Sequence, residues 1–527
     1  MKVLISDSLP QEAIDVFKEE KGLEVDVLTS LSPEELINCI GNYHALVIRS
    51  GTKATKEVIE AATNLQVIGR AGVGLDNVNI EAATKKGIIV MNTPDGNTIS
   101  TAEHTMALIL SLSRNIPQAH ASLKAREWNR KKYDGTELFR KTLGVIGLGR
   151  IGTEVAKRAQ SFGMLILGYD PYISEEKVKS LGIELVELKE LYKRSDYITL
   201  HVPKSSETKY MISKKEIEMM KKGVRIINCA RGGLIKEKDL IEALQNNRIA
   251  GAALDVYEQE PPEDSPLFAI DKCITVPHLG ASTREAQFNV GVDIAKQVLE
   301  VLRGGTARNA ANIPQIDGEL LKQLKPYLDL GEKLGNLQGQ LASMHIEEVF
   351  VEYAGDIAEY DLSAVTIAIL KGLLSAIIDD ATVNFVNAPG LAKERGIKVV
   401  ESKSGSKEDF NNLISITIKA DKEKKFLAGT LFHKDDSRIV YLDEFRIDAI
   451  PSGYMLIISN TDKPGVVGKI GTILGNSKIN IAALYMGREA IKNKQRLVLN
   501  VDSIVPEEVI AEIKNQEEIL GVQLVKL

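Results

Sequence analysis

Four side chains able to move protons or hold anions, His201, Arg231, Asp255 and His278, each follow a short apolar run: "YITLHVP", "VRIINCARGG", "AGAALDVY" and "CITVPHLG". Such runs read as buried strands, and open α/β sheets place ligands just beyond the carboxyl ends of their strands. Upstream lies a glycine-rich turn, Gly147-Leu148-Gly149-Arg150-Ile151-Gly152, preceded by the run "TLGVI" and followed by helical spacing through Val155, Ala159 and Phe162. In a strand-turn-helix context these glycines let the backbone approach a pyrophosphate, and the helix N-terminus supplies free N–H donors. Asp170 closes the next run, "MLILGYD", 18 residues past Gly152, where a carboxylate accepts hydrogen bonds from an adenine ribose. Pro171 and Tyr172 follow it, rather than an arginine for a 2′-phosphate, so NAD is favoured over NADP. A chemical site is predicted at the strand ends, beside a dinucleotide.

Positioning those groups requires a doubly wound sheet, and the cadence of runs with helical stretches such as "KEKDLIEALQNN" between them supplies one. The first 140 residues repeat the rhythm on a smaller scale. "KVLIS", "LEVDVL", "ALVIR", "LQVIGRAG" and "GIIVMN" alternate with helices expected from near Pro10, Pro33, Thr55 and Val78. Their strand ends carry Arg49, Arg70, Gly72 and Gly74. "STAEHTMALILSLSRNIPQ" reads as one long helix leading into the glycine-rich unit, and "TREAQFNVGVDIAKQVLEVLRGG" as a helix leading back. The expected fold is therefore α/β: a Rossmann-type nucleotide-binding domain over 98–283, inserted in a discontinuous flavodoxin-like domain of residues 1–97 and 284–305, with a cleft between them.

Composition narrows the partners. The 527 residues exceed one hydrophobic core, and a 44% apolar, 26% charged balance is globular. Sixty-six basic against 72 acidic residues give a net charge of -6, which excludes a strongly basic nucleic-acid-binding surface overall. The opening "MKVLISDSLP" lacks the basic flank and apolar stretch of a signal peptide, and no apolar run is long enough for a membrane span, so a cytoplasmic protein is expected. Cys39, Cys229 and Cys273 are too scattered for a disulfide framework or a metal site and read as small buried residues.

Taken together, "RAGVGLDNV" (70–78), "GVIGLGRIG" (144–152), "NCARGGLI" (228–235), "AALDVYEQEPP" (252–262) and "PHLGAST" (277–283) resemble the D-isomer-specific 2-hydroxyacid dehydrogenases, over about the first 305 residues. The resemblance implies catalytic Arg231, Glu260 and His278. It implies NAD contacts at Gly147, Gly149, Arg150, Ile151, Gly152, Asp170, Cys229, Ala230, Arg231, Asp255, His278, Gly280 and Ala281. Oxidising a 2-hydroxy acid needs a group to take the hydroxyl proton while hydride leaves the same carbon, and an imidazole near neutrality suits that role. Glu260, 18 residues before His278, can hold the imidazole tautomer and raise its pKa if the Pro-rich loop folds back. Arg231 can grip a carboxylate with two parallel hydrogen bonds, which backbone N–H groups near Gly72 and Gly74 can share. Two roles stay open for Asp255, a hydrogen bond to the nicotinamide amide or closure of helix–strand packing. His201 lacks an evident carboxylate partner and reads as structural.

A phosphate at the far end of the substrate calls for several cations, and Arg49 and Arg70 are candidates. So are Arg130, Lys131 and Lys132 in "WNRKKYDG", beside Trp128, the only tryptophan. A charge run is ordinarily a solvated face, but the resemblance implies that this segment crosses a dimer interface into the neighbour's site. The implied substrate is 3-phosphoglycerate and the implied reaction the first step of L-serine synthesis. A glyoxylate or hydroxypyruvate reductase is disfavoured by the cationic set and the C-terminal extension. An NAD-sensing, corepressor-like binding protein has no need of the Arg, Glu and His set.

"RGGTARNAANIPQIDGE" reads as a junction near residues 304–318. Beyond it Leu330, Leu334, Leu337 and Leu341 form a helical stripe, followed by a strand, a helix and a segment with Asn-Ala-Pro as a turn, an α+β domain over 317–450. It resembles the intervening, anion- or substrate-binding regulatory domain of the longer members, with Lys393 and Arg395 as candidate contacts. Residues 453–527 read βαββαβ, with Pro464 at a helix start, a ferredoxin-like module resembling an ACT domain. The resemblance implies L-serine as effector, held between paired modules by Asn460, Asp462 and Asn480, and a homodimer or homotetramer. An Asp carboxylate can hold an ammonium group and Asn amides a carboxylate. Some relatives carry His and Asn at the first two positions, so this chain departs from that pattern, and a purely oligomerising module is the other reading.

Overall fold

The computed structural model describes residues 1–314, 318–342, 346–378, 383–405, 410–420, 423–489 and 493–527. Five short strands, β1 (Lys2–Ile5), β2 (Glu24–Val27), β3 (Ala45–Ile48), β4 (Val67–Arg70) and β5 (Ile89–Met91), pair in parallel in the order β2-β1-β3-β4-β5, the flavodoxin-like arrangement. All four residues of β3 are buried, as a parallel strand covered on both faces requires. The helix Pro33–Ile40 starts where expected because Ser32 and Glu35 exchange hydrogen bonds in a capping box, with Pro33 in the first turn.

A second parallel sheet contains β6 (Thr142–Ile146), β7 (Leu165–Tyr169), β8 (Glu184–Leu185), β9 (Tyr197–Leu200), β10 (Arg225–Asn228), β11 (Gly251–Leu254) and β12 (Cys273–Thr275). Its order, β12-β11-β10-β9-β6-β7-β8, reverses between β6 and β9, and that switch point opens a crevice at the carboxyl ends. The stretch expected as one long helix is two, Thr98–Arg114 and Ile116–Lys124. Asn115 takes a left-handed φ of 51° between them, which Asn tolerates, and Pro117 falls in the first turn of the second helix, where its missing N–H costs nothing. The helix Arg284–Leu302 does return to the first sheet, setting Ile294 and Val298 against Gly69 of β4.

The junction is not a free linker throughout. Ala311 donates its N–H to the Val90 carbonyl, and the Asn312 side chain accepts from the Val90 N–H, so this segment closes the β5 edge. Residues 315–317 of that junction lie outside the described residues.

A mixed sheet follows: β13 (Ile346–Gly355), β14 (Lys398–Ser404), β15 (Asn412–Ala420), β16 (Glu423–Phe432), β17 (Asp436–Leu442) and β18 (Phe445–Ala449), ordered β14-β13-β15-β16-β17-β18. The stripe Leu330, Leu334, Leu337 and Leu341 lies on the helix Gly318–Leu341 and is buried in one core with the helix Ser363–Ile377 and Val349, Val351 and Tyr353 of β13. Asn387-Ala388-Pro389, expected as a turn, opens the helix Ala388–Glu394; the Asn387 side chain takes the Asn384 N–H, and Pro389 is tolerated in the first turn. The last sheet, β19 (Tyr454–Thr461), β20 (Ile481–Glu489), β21 (Lys494–Val501) and β22 (Ile519–Lys526), is antiparallel in the order β20-β21-β19-β22 and carries the helices Val466–Asn476 and Glu507–Lys514. The βαββαβ order stands, with Gly465 rather than Pro464 as the cap. Among the described residues no helix is long and apolar enough to cross a membrane.

Candidate active site

At the end of β6 the three motif glycines do different work. Gly147 turns with φ 92°, and a side chain there would collide with the His201 carbonyl. A Cβ on Gly149 would meet nothing within 4 Å, which leaves the backbone open to a ligand at the head of the helix Arg150–Ser161. Gly152 packs against the Gly147 carbonyl, and Ile151 lies partly buried behind it. Asp170, past β7, accepts the Leu148 and Tyr172 N–H groups, each at 2.9 Å, which fixes its carboxylate beside the turn. Open backbone, helix N-terminus and acidic strand end together fit an adenine dinucleotide. Arg150 reaches across the cleft, with Nε 2.5 Å from the Asp95 carboxylate.

The ends of β10, β11 and β12 hold the reactive groups. His278 takes a left-handed φ of 52° and sets Nδ1 2.7 Å from the Glu260 carboxylate. That hydrogen bond raises the imidazole above its ordinary pKa, against burial and against the charge of Arg231. Burial pushes Glu260 up, but His278, the Tyr257 N–H at 3.0 Å and the Arg231 charge outweigh it, and the carboxyl stays below its usual range. The EQEPP loop does fold back onto the histidine.

Asp255 is wholly buried; it accepts the N–H groups of Leu279 and Gly280 at 2.6 and 2.8 Å and lies 3.2 Å from the ring of His104. Ser100 donates to the Gly280 carbonyl from the other side, so the loop that runs through Gly280 and Ala281 is pinned by groups from two elements. These contacts make Asp255 a brace for the loop after β12. His201 bonds Thr199, and burial takes its pKa down to about 3, in line with a structural part. Cys229 is buried and its thiol is pushed up to about 12 by that burial; Asn228 braces the adjoining turn through the Ala230 N–H and the Arg231 carbonyl.

Arg231 donates through Nη1 to the Ala230 carbonyl at 2.7 Å and through Nε to Asp76 at 3.1 Å, across the cleft. Gly74 makes room for it, since any Cβ there would strike Nη2, and Gly72 does the same for Arg70. Burial, and then the charge of Arg231, pull the Arg70 guanidinium down to about 10, with Arg49 contributing in the same direction. Three guanidiniums from two domains thus act on one region, the electrostatics of an anion site. Asn77 ties the cluster together, accepting from Arg70 Nε at 3.0 Å while donating to the carbonyls of Arg49 and Thr52. Asp76, Asp95 and Asn77 were not singled out from sequence. Asp76 and Asn77 stand inside the quoted "RAGVGLDNV", but their partners lie on other segments.

Other candidates stay apart. Arg130, Lys131 and Lys132 form an exposed 3₁₀ turn next to Trp128, which is 77% exposed, and Lys132 lies over the Tyr133 ring. Lys393 and Arg395 are exposed at the end of their helix. The three candidates of the last module do not all meet within one chain. Asn460 is 0% exposed and bonds Gln495, Asp462 is paired with Arg488 at 2.8 and 2.9 Å, and Asn480 bonds Asp502. Asn460 sits where β19 meets Gln495, whereas Asn480 adjoins Ile481, the partner of Val501 at the opposite end of β21.

A dinucleotide turn, a histidine–carboxylate pair and an arginine facing one crevice define the class, an NAD-dependent oxidoreductase. Three family profiles match the chain: the NAD-binding domain of D-isomer specific 2-hydroxyacid dehydrogenases over residues 106–280, the D-3-phosphoglycerate dehydrogenase intervening domain over 323–443, and the ACT domain over 454–518. D-3-phosphoglycerate dehydrogenase of Methanocaldococcus jannaschii is 49% identical over 528 residues, covering 100% of both chains, and that of Bacillus subtilis is 42% identical over 526 residues, covering 100% of this chain and 99% of its own. Among solved structures, D-lactate dehydrogenase from Aquifex aeolicus complexed with NAD and lactic acid is 30% identical with a TM-score of 0.54, covering 60% of this chain and 100% of its own. The chain belongs to the D-3-phosphoglycerate dehydrogenase family.

Proposed function

We propose that the protein oxidises D-3-phosphoglycerate to 3-phosphohydroxypyruvate with NAD, the first step of L-serine synthesis. The observation that carries this reading is the 2.7 Å His278–Glu260 pair within the field of Arg231, itself beside Arg70. Arg231 holds the substrate carboxylate, while Arg49 and Arg70 hold the phosphate. With Nδ1–H given to Glu260, His278 keeps Nε2 free to take the hydroxyl proton. NAD, when bound, accepts the hydride from the same carbon. Glu260 keeps the ring in the productive tautomer and stabilises the imidazolium that results. Arg231 also polarises the keto oxygen in the reverse direction. Gly149, Arg150 and the helix behind them receive the pyrophosphate, and Asp170 the adenine ribose.

We retain the division into residues 1–97 with 284–305, 98–283, 317–450 and 453–527. L-serine is proposed as effector of the last unit. The separation of Asn460 and Asp462 from Asn480 supports a site assembled from two copies of the chain, as a homodimer or homotetramer would provide. The exposed Arg130–Lys132 turn supports donation of a cation to a neighbouring subunit. The protein acts in the cytoplasm on this reading.

The test is an NADH-coupled assay with D-3-phosphoglycerate and D-glycerate. A kcat/KM for the phosphorylated substrate at least about a hundredfold higher is expected if two guanidiniums meet the phosphate. Equal values would remove the substrate assignment.

A further inference from the structure

Two of the arginines assigned to ligands, Arg231 and Arg150, are each paired with a carboxylate from the opposite side of the cleft. Arg231 lies at the end of β10 in the nucleotide-binding sheet, and its Nε is 3.1 Å from the carboxylate of Asp76, in the loop after β4 of the first sheet. Arg150 opens the helix after the glycine turn, and its Nε is 2.5 Å from Asp95, in the loop between β5 and the helix Thr98–Arg114. Asp76 and Asp95 are 71% and 72% exposed, so neither is fixed by packing.

Geometry makes the contact at Arg231 a competitor of substrate. A guanidinium grips a carboxylate through one edge, two parallel N–H bonds at a time. Nη1 of Arg231 is committed to the Ala230 carbonyl beside it in the chain, and Nε to Asp76. The Nε/Nη2 edge becomes available for a second carboxylate only when Asp76 lets go. Electrostatics points the same way. Arg231 is the strongest charged influence lowering the pKa of Arg70, and Asp76 the strongest one opposing it, so the carboxylate offsets the mutual repulsion of the guanidiniums.

We propose that Asp76 and Asp95 are placeholder anions: each holds one ligand-binding arginine across the cleft and sets the affinity of one ligand, Asp76 that of the 2-hydroxy acid and Asp95 that of the dinucleotide. The proposal rests on the assignment of Arg231 to the substrate carboxylate and of Arg150 to the coenzyme pyrophosphate. Both aspartates are positioning residues, acting through an arginine.

The experiment uses the full chain with Asp76→Asn and Asp95→Asn. NADH binding is followed by fluorescence titration without substrate, and D-3-phosphoglycerate binding by calorimetry at saturating NADH. Removing one exposed ion pair corresponds to about a two- to fivefold change in affinity. Asp76→Asn is expected to tighten D-3-phosphoglycerate by that factor and leave NADH unchanged, and Asp95→Asn to tighten NADH and leave D-3-phosphoglycerate unchanged. Asp76→Glu, which restores the carboxylate, returns substrate affinity toward the parent value and separates the charge effect from a packing defect. Weaker binding of the cognate ligand, no change, or an equal change for both ligands overturns the proposal. Arg231→Lys and Arg150→Lys, measured alongside, keep the two levels apart. If these lose affinity while the aspartate variants do nothing, only the placeholder role fails; if Arg231→Lys binds D-3-phosphoglycerate normally, the anchor assignment fails.

Discussion

The catalytic cleft and the C-terminal sheet both present polar residues at strand ends, yet only the cleft gathers its set within one chain. The cause is strand direction. In a parallel sheet every carboxyl end faces the same way, so Gly147 after β6, Asp170 after β7, Arg231 after β10 and His278 after β12 share one edge whatever their distance in sequence. In an antiparallel sheet successive ends alternate. Asn460 and Asn480 lie at opposite ends of the last sheet, separated by the six steps from Asn460 to Tyr454 along β19, roughly 20 Å at the usual strand rise. A parallel fold gathers such residues at one end of a single sheet; an antiparallel one distributes them over both ends.

The largest effect is expected for His278→Asn, which should lower kcat for oxidation by about 10²–10⁴-fold with an unchanged circular dichroism spectrum. A loss below tenfold would detach the histidine from the chemistry. Arg231→Lys keeps the charge and loses the fork, and kcat/KM should fall by about a hundredfold in steady-state kinetics. Arg70→Gln should then narrow the preference for D-3-phosphoglycerate over D-glycerate by about tenfold, because one charge-assisted bond to the phosphate goes. On the C-terminal side, L-serine affinity measured by calorimetry along a dilution series should weaken as subunits separate, and Asp462→Asn should reduce it by about tenfold. Full-strength serine binding to an isolated monomer would erase the contrast between the two regions.

Much of the cleft was legible because its signals are local. Short apolar runs, a glycine turn and the residues that follow each run need no knowledge of distant contacts, and the flavodoxin-like and Rossmann-type orders followed from them. The helix break at Asn115 was missed since nothing apolar is lost there; one left-handed residue redirects the chain without changing its periodicity. Asn387-Ala388-Pro389 misled in the opposite sense, because the same residues favour a turn and a helix start. Asp76 and Asp95 could not be told from solvated surface carboxylates, because their partners come from the other side of the cleft. The placement of Asn460 and Asn480 at opposite ends of the last sheet was not legible, since register decides which end of a strand faces which neighbour.

The central claim is that Glu260 tunes His278 as the base for a carbon held by Arg231. The direct measurement is the pH dependence of kcat/KM for D-3-phosphoglycerate oxidation in the parent and in Glu260→Gln. A base must be neutral to accept a proton, so the rate rises as pH passes the imidazole pKa, which the Glu260 hydrogen bond raises. Without the carboxylate that pKa falls, and the acidic limb should move to lower pH while the plateau drops. Superimposable acidic limbs in the two proteins would contradict the account.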